Sequence, residues 1–254
     1  MEEVLDCIQP IVSATANEAL CRPYSREEVN CAFAQMHPHK APGPDGMNPF
    51  FYQKFWDIIG DDVSAVVLSI LHGHPIPPAL NRTFVALILK KQKPNLISDF
   101  HPISLCNVIY KLVTKVIANR VKPLLPGIIF DTQGAFVQGR LISDNILIAF
   151  EIMYAMQGNP SFSGFMVIKL DMSEAFDRVE WPFLANVMLD MGFYQQWLDL
   201  VMRCVKMASF SFLINGAPKG HNTPSRGIRQ GDPISLYLFL FCSKGLSGFL
   251  KKAV

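Results

Sequence analysis

VIKLDMSEAFDRVEW, residues 167 to 181, is an apolar run that stops on a carboxylate, Asp171, and meets a second one, Asp177, six residues on. GFMVIKLDM has the β-branched, apolar character of a central strand, and SEAFDRVEW shifts to helical composition, so the spacing predicts that Asp171 stands where a strand ends. An ionised Asp there is costly unless it meets a cation or firm hydrogen bonds. On the residues alone two roles stay open for it, capping the helix that follows or holding a metal ion. Downstream, residues 181 to 205 read as one helix. SFSFLINGAPKGHNTPSRG follows as a hairpin whose Asn215-Gly216 is a type I′ turn signal. Strand, helix and antiparallel hairpin open a split βαβ, ferredoxin-like unit.

Working towards the N-terminus, Ser25 and Glu28 form a capping box ahead of Val29, Ala32, Phe33 and Met36 at helical spacing. KAPGPDGMNP, residues 40 to 49, is too rich in Pro and Gly for regular structure and reads as a rigid turn. Residues 51 to 71 read as helix, FVALIL at 84 to 89 as a buried strand, 103 to 125 as a long amphipathic helix, and the stretch from Gln133 as a loop and another helix. No repeat or low-complexity tract interrupts the chain.

Composition narrows the class. The 254 residues are half apolar and 17% charged, enough for a sizeable core. Six cysteines are scattered with no CxxC pair and no short spacing to histidine, which argues against a zinc site or a disulfide scaffold and for reduced thiols in a cytoplasmic or nuclear setting. The start, MEEVLDC, is acidic where a signal peptide is basic, and the cleanest apolar run, VSAVVLSIL at 63 to 71, is too short to span a bilayer, so no membrane partner is expected. The net charge of +2 hides an asymmetry: residues 1 to 81 hold four Lys/Arg against ten Asp/Glu, and residues 82 to 122 hold eight against one. A basic block interleaved with Phe84, Phe100 and Tyr110 suits a phosphate-rich partner or, more simply, a solvated helix face.

RGIRQGDPISLYLFLFC, residues 226 to 242, joins a Gly/Arg/Gln/Gly/Asp turn to an apolar helix. With it the whole chain resembles the reverse transcriptases of LINE-type, non-LTR retrotransposons, plant ones most closely. KLDMSEAFDRVEW resembles that family's first catalytic motif and RGIRQGDPISLYLF the motif facing template and nucleotide. KAPGPDG, DFHPISLCNVIYK and QGAFVQGRLISDNIL resemble its upstream fingers blocks. One LDxxxAFD is a weak signal, whereas five blocks in family order are specific.

The resemblance implies an α+β, right-hand polymerase with fingers and a partial palm. Residues 1–81 would be a helical extension leading into the fingers, 82–160 fingers with the basic block, and 161–254 an incomplete palm without a thumb. RNA template, DNA primer and deoxynucleoside triphosphates are the implied partners. Asp171 matches the first metal-binding aspartate, and the Met172 carbonyl would help hold one of two Mg²⁺ ions. Phe176 matches the ring that blocks a ribose 2′-OH, with a core aromatic as the alternative. Gln230 and Gly231 match residues lying against nucleotide and template, and Lys90 a lysine that reaches the triphosphate.

His101 stands where the family usually has Arg, so a mostly neutral ring replaces a bidentate phosphate clamp. Leu89, Leu236 and Phe130 replace Pro, Pro and Ser, and Glu174 replaces Lys beside Asp171. Arg to His, Pro to Leu and Ser to Phe are each one C-to-T change on one strand or the other, the pattern of a decayed genomic copy. The family's aromatic-x-Asp-Asp box occurs nowhere in the 254 residues. The expectation is therefore an incomplete reverse transcriptase domain, inactive alone, with a non-catalytic nucleic-acid-binding protein or a functionless transposon relic as alternatives.

Overall fold

The computed structural model describes residues 2–137, 139–158 and 164–252. In chain order its elements are α1 (Glu2–Leu5), α2 (Ala14–Cys21), α3 (Arg26–Ala34), α4 (Pro49–Lys54), α5 (Trp56–Leu71) and α6 (Pro78–Asn81), then β1 (Arg82–Leu89) and β2 (Phe100–Cys106). They continue with α7 (Val108–Val121), α8 (Leu125–Ile128), α9 (Ile142–Gly158), α10 (Trp181–Asp190), α11 (Gln195–Lys206), β3 (Ser209–Ile214), β4 (Ala217–Asn222) and α12 (Ser235–Lys252). The four strands make one mixed sheet in the order β2-β1-β3-β4, with β1 antiparallel to β2, parallel to β3, and β3 antiparallel to β4. The fold is α+β, as the sequence indicates.

Several local expectations hold. The Ser25 hydroxyl accepts from the Glu28 amide and the Glu28 carboxylate accepts from the Ser25 amide, both halves of the capping box that starts α3. Asn215 and Gly216 take φ of 51° and 77°, the left-handed pair that a tight hairpin between right-twisted strands requires. In the 40–49 turn the space at Gly43 is occupied by Asn107, whose backbone nitrogen and Oδ1 would lie 2.4 Å from an added Cβ.

Three others are corrected. Residues 167 to 171 belong to no strand: the segment is exposed, Ile168 at 70%. A β-branched run becomes a strand only where another backbone supplies ladder hydrogen bonds. Here β1 has β2 and β3 on its flanks, and β3 has β1 and β4. The strand that runs parallel to the hairpin is thus β1 and not 167 to 171. Asp171 consequently sits on an exposed segment without regular structure rather than at a strand end, and residues 173 to 178 form turns, with helix beginning only at Trp181.

The helix expected over 103 to 125 is split, because residues 100 to 106 pair with β1 and helix starts at Val108. Pro102 is tolerated because β2 is the edge strand. The helix expected over 181 to 205 breaks at Gly192, where φ is 91°. The Gly192 carbonyl accepts from Asn17 Nδ2 at 2.8 Å, and the Tyr194 amide donates to Asn17 Oδ1 at 2.8 Å, so one buried side chain of α2 satisfies both ends of the break.

The core lies between the helices and one sheet face, with Trp197, Tyr110 and Phe241 fully buried. Arg120 of α7 ties the N-terminal helices to this core. It donates to the carbonyls of Leu20, Arg22 and Pro23 where α2 ends, and to both Glu28 oxygens in α3. On the other side α1 lies against α12, whose Gly245 and Gly248 leave room for Val4 and Cys7.

Candidate active site

Two of the five blocks that carry the resemblance, those around Phe176 and Ile228, are joined side by side. The Ile228 amide donates to the Phe176 carbonyl at 2.9 Å and the Gly227 amide to the Val179 carbonyl at 2.8 Å. The Trp181 indole donates to the Gly227 carbonyl at 2.8 Å. Gly227 has φ 89° and would press a Cβ to 3.1 Å from the Asp177 carbonyl, so the approach needs glycine. Facing this pair is the sheet, and between them lies a cavity of about 360 Å³. Its walls are one face of the sheet, including Leu87, Pro102, Ser104 and Phe212, the turn bearing Glu174 and Asp177, and the 226–235 turn bearing Gln230.

The strand alternation decides which residues of β2 face inwards. Phe100, Pro102 and Ser104 of β2 line the cavity, so His101, paired with Ile88, presents to the opposite face and is exposed. Lys90 follows the end of β1 and its ammonium donates to the Ser98 carbonyl at 3.0 Å. Partial burial raises the Asp177 carboxyl above its ordinary value, the neighbouring Glu174 charge adds to the rise, and Lys90 opposes it. Glu174 holds φ of 54°, a conformation unfavourable for a non-glycine residue.

Of the residues singled out from the sequence, Gln230 lines the cavity, with Gly231 next to it at φ 101°. Phe176 is partly buried and stacks on Phe239 of α12, ring centres 5.0 Å apart and planes at 12°. Asp171 and Met172 are exposed on the preceding segment. Among the described residues no three His, Cys, Asp or Glu side chains stand together as a metal-holding group. A hard dication asks for about six oxygens, so Asp171 with the Met172 carbonyl does not make up a magnesium site by itself.

The sequence reading missed the residues that hold the 226–235 turn. Arg229 and Asp232 are each 5% exposed. Arg229 donates to Asn81 Oδ1 at 2.5 Å and to the Cys204 carbonyl at 2.8 Å, and Asp232 accepts from the Tyr110 hydroxyl at 2.7 Å. Burial works against the guanidinium's charge, but Tyr110, Cys106 and Asp232 around it raise its pKa overall and keep it cationic. Burial pushes the Tyr110 phenol well above its ordinary value. The available signal was a pair of opposite charges bracketing Gln-Gly inside an apolar stretch.

The model of the family described as "Reverse transcriptase (RNA-dependent DNA polymerase)" matches residues 88–254. The chain belongs to the reverse transcriptase family. The relatives it resembles are proteins of transposable elements. The uncharacterized 149 kDa protein of transposon TX1 from Xenopus laevis is 30% identical over 251 residues, 99% of this chain and 19% of that protein. The retrovirus-related Pol polyprotein of type-2 retrotransposable element R2DM from Drosophila melanogaster is 23% identical over 239 residues, 91% of this chain and 22% of that protein. An uncharacterized mitochondrial protein of Arabidopsis thaliana is 62% identical over 42 residues, 16% of this chain and 34% of that protein. The chain spans about a fifth of the length of the TX1 and R2DM proteins. Among the described residues no helix is long and apolar enough to cross a membrane.

Proposed function

We propose that the chain is the fingers and first palm portion of an RNA-directed DNA polymerase from a plant non-LTR retrotransposon, the part that precedes the aromatic-x-Asp-Asp box. In this reading residues 1–81 lead into the fingers, 82–160 are fingers and 161–254 begin the palm. The cavity between the sheet and the joined motifs takes the base pair formed by template RNA and an incoming deoxynucleoside triphosphate. Gln230 and Gly231 lie against that pair, Lys90 reaches the triphosphate, and Phe176 stands beneath the sugar. Asp171 and the Met172 carbonyl would hold part of the oxygen shell of Mg²⁺, which would supply charge stabilisation to attack by the primer's 3′-oxygen. His101 takes part only if the outer face of β2 meets the triphosphate.

The observation that supports this reading most is the pairing of Phe176 and Val179 with Ile228 and Gly227, which brings the two family motifs to one cavity wall. A polymerase site needs its carboxylate motif and its template-facing turn within one base pair's reach. The 254-residue polypeptide contains no aromatic-x-Asp-Asp sequence, so it is expected to give no primer extension on an RNA template with Mg²⁺ or Mn²⁺. The same polypeptide joined to the box and following segment of a relative is expected to extend, and Asp171→Ala is expected to abolish that extension. Extension by the 254 residues alone that disappears in Asp171→Ala overturns the inactivity, and a joined chain indifferent to Asp171→Ala overturns the assignment. Salt-sensitive RNA binding with no extension by the joined chain favours a non-catalytic binding protein.

A further inference from the structure

The turn that carries Gln230 is anchored from beneath by a buried polar network to which the family resemblance assigns no task. The Arg229 guanidinium carbon lies 4.0 Å from the centre of the Tyr110 ring. Its nitrogens donate to Asn81 at the end of α6, to Thr83 of β1 and to the carbonyl of Cys204 in α11. Asp232 accepts from the Tyr110 hydroxyl at 2.7 Å and from the Ile234 amide at 3.3 Å. Four elements therefore converge on two side chains that flank Gln230-Gly231. Above them the turn is sewn to the sheet edge, where the Ser104 amide of β2 donates to the Gln230 carbonyl at 3.1 Å. Gly231 lies so close to Ser104 that a Cβ there would touch its carbonyl at 3.4 Å.

Taking a guanidinium and a carboxylate out of water is expensive, and apolar side chains of similar volume commonly hold a fold as well. What such a network adds is a single geometry. A glutamine on an exposed turn would otherwise be mobile and would lose that freedom on binding. We infer that Arg229, Asp232 and Tyr110 are positioning residues, which lock the Gln230-Gly231 turn against the edge of β2 so that Gln230 meets its ligand already oriented. The ligand itself rests on the function proposed above, whereas the locking does not.

Peptide-resolved amide hydrogen exchange of the 254-residue polypeptide separates the two. Tyr110→Phe keeps the ring under Arg229 and deletes only the hydroxyl; Asp232→Asn keeps an acceptor oxygen and deletes the charge. In Tyr110→Phe the peptide containing Ser104 should exchange about tenfold faster or more while peptides from α10 keep their protection, the pattern of local opening. Asp232→Asn should fall between Tyr110→Phe and the unaltered chain. In parallel, Tyr110→Phe should weaken binding of a labelled RNA·DNA primer–template measured by fluorescence anisotropy. Unchanged exchange at Ser104, or equal loosening at Ser104 and α10, overturns the inference, the latter because the network would then support the whole fold. If the unaltered chain binds no primer–template, the proposed function falls and the exchange result still decides the positioning role.

Discussion

Arg120 donates from Nε and from Nη2 to the two carboxylate oxygens of Glu28, each at 2.8 Å, across 92 residues of chain. The Arg120 side chain is 5% exposed and Glu28 21%, so this bidentate pair is largely out of water. The remaining nitrogen donates to the carbonyls of Leu20 and Arg22, which closes the end of α2 onto the middle of the fold. Removing one partner leaves a carboxylate and three carbonyls without it. Arg120→Ala should therefore lower the unfolding free energy by about 3 to 5 kcal/mol, read as a drop in denaturant midpoint. A loss below about 1 kcal/mol would mean that water replaces the guanidinium without penalty.

The same pair sets a pH dependence. The Arg120 hydrogen bonds hold the Glu28 carboxyl down at about 2, against some resistance from burial, and the Ser25 amide adds to the effect. Because the folded value is depressed below the unfolded one of about 4.3, the stability from Glu28 is fully present above that value and is lost as pH falls towards 2. Acid titration of the chain beside Glu28→Gln should show a stability gap that is constant from neutral pH to about pH 5 and closes below it. A gap that does not change between pH 6 and 2.5 would place the carboxylate's contribution elsewhere.

Gly43 in the KAPGPDG turn faces the backbone and side chain of Asn107, and Asn107 in turn donates to the Ala79 and Leu80 carbonyls and accepts from the Asp45 amide. Gly43→Ala drives a methyl into a backbone atom that begins α7. The expected cost is about 1 to 3 kcal/mol, while Gly46→Ala meets nothing within 4 Å and costs only the strain of its φ of 73°. Thermal melts of the two variants should separate in that order, and a Gly43→Ala melt equal to the unaltered chain's would show that the turn detaches freely.

Gln230 and His101 make a second contrast, since the first lines the cavity and the second lies on the outer face of β2. In the chain joined to a relative's aspartate box, Gln230→Ala should raise nucleotide KM by roughly 2 to 10-fold, the value of one or two neutral hydrogen bonds. His101→Arg should leave KM nearly unchanged between pH 6 and 8. A large fall in KM on His101→Arg would show that β2 turns its outer face to the triphosphate.

Ile146, Leu147, Phe150 and Tyr154 of α9 are all more than half exposed and, by helical spacing, share one side of the helix. The polypeptide should enhance the fluorescence of an apolar dye, and Leu147→Glu with Phe150→Glu should remove most of the enhancement. Equal dye binding by that double variant would move the apolar surface elsewhere, with residues 165 to 172 next in line.

The elements legible in the sequence are those whose cause lies within a few residues. Ser25 and Glu28 reach one another across a single helical turn, and Asn215-Gly216 supplies the backbone conformation of its own hairpin. The blocks around Asp171 and Gln230 carry the family in their spelling, whatever they pack against. Tertiary structure alone decided the rest. Whether 167 to 171 or 100 to 106 becomes a strand depends on which backbone lies alongside, and β1 accepts the second and not the first. Where the helix after Trp181 breaks is settled jointly by Gly192 and by an asparagine 175 residues away, Asn17. That Arg229 is a buried anchor rather than a solvated charge follows from Tyr110, Asn81 and Cys204 converging on it. Hydrogen-bond partners far apart in the chain leave no local periodicity, so they become visible only when the chain is folded.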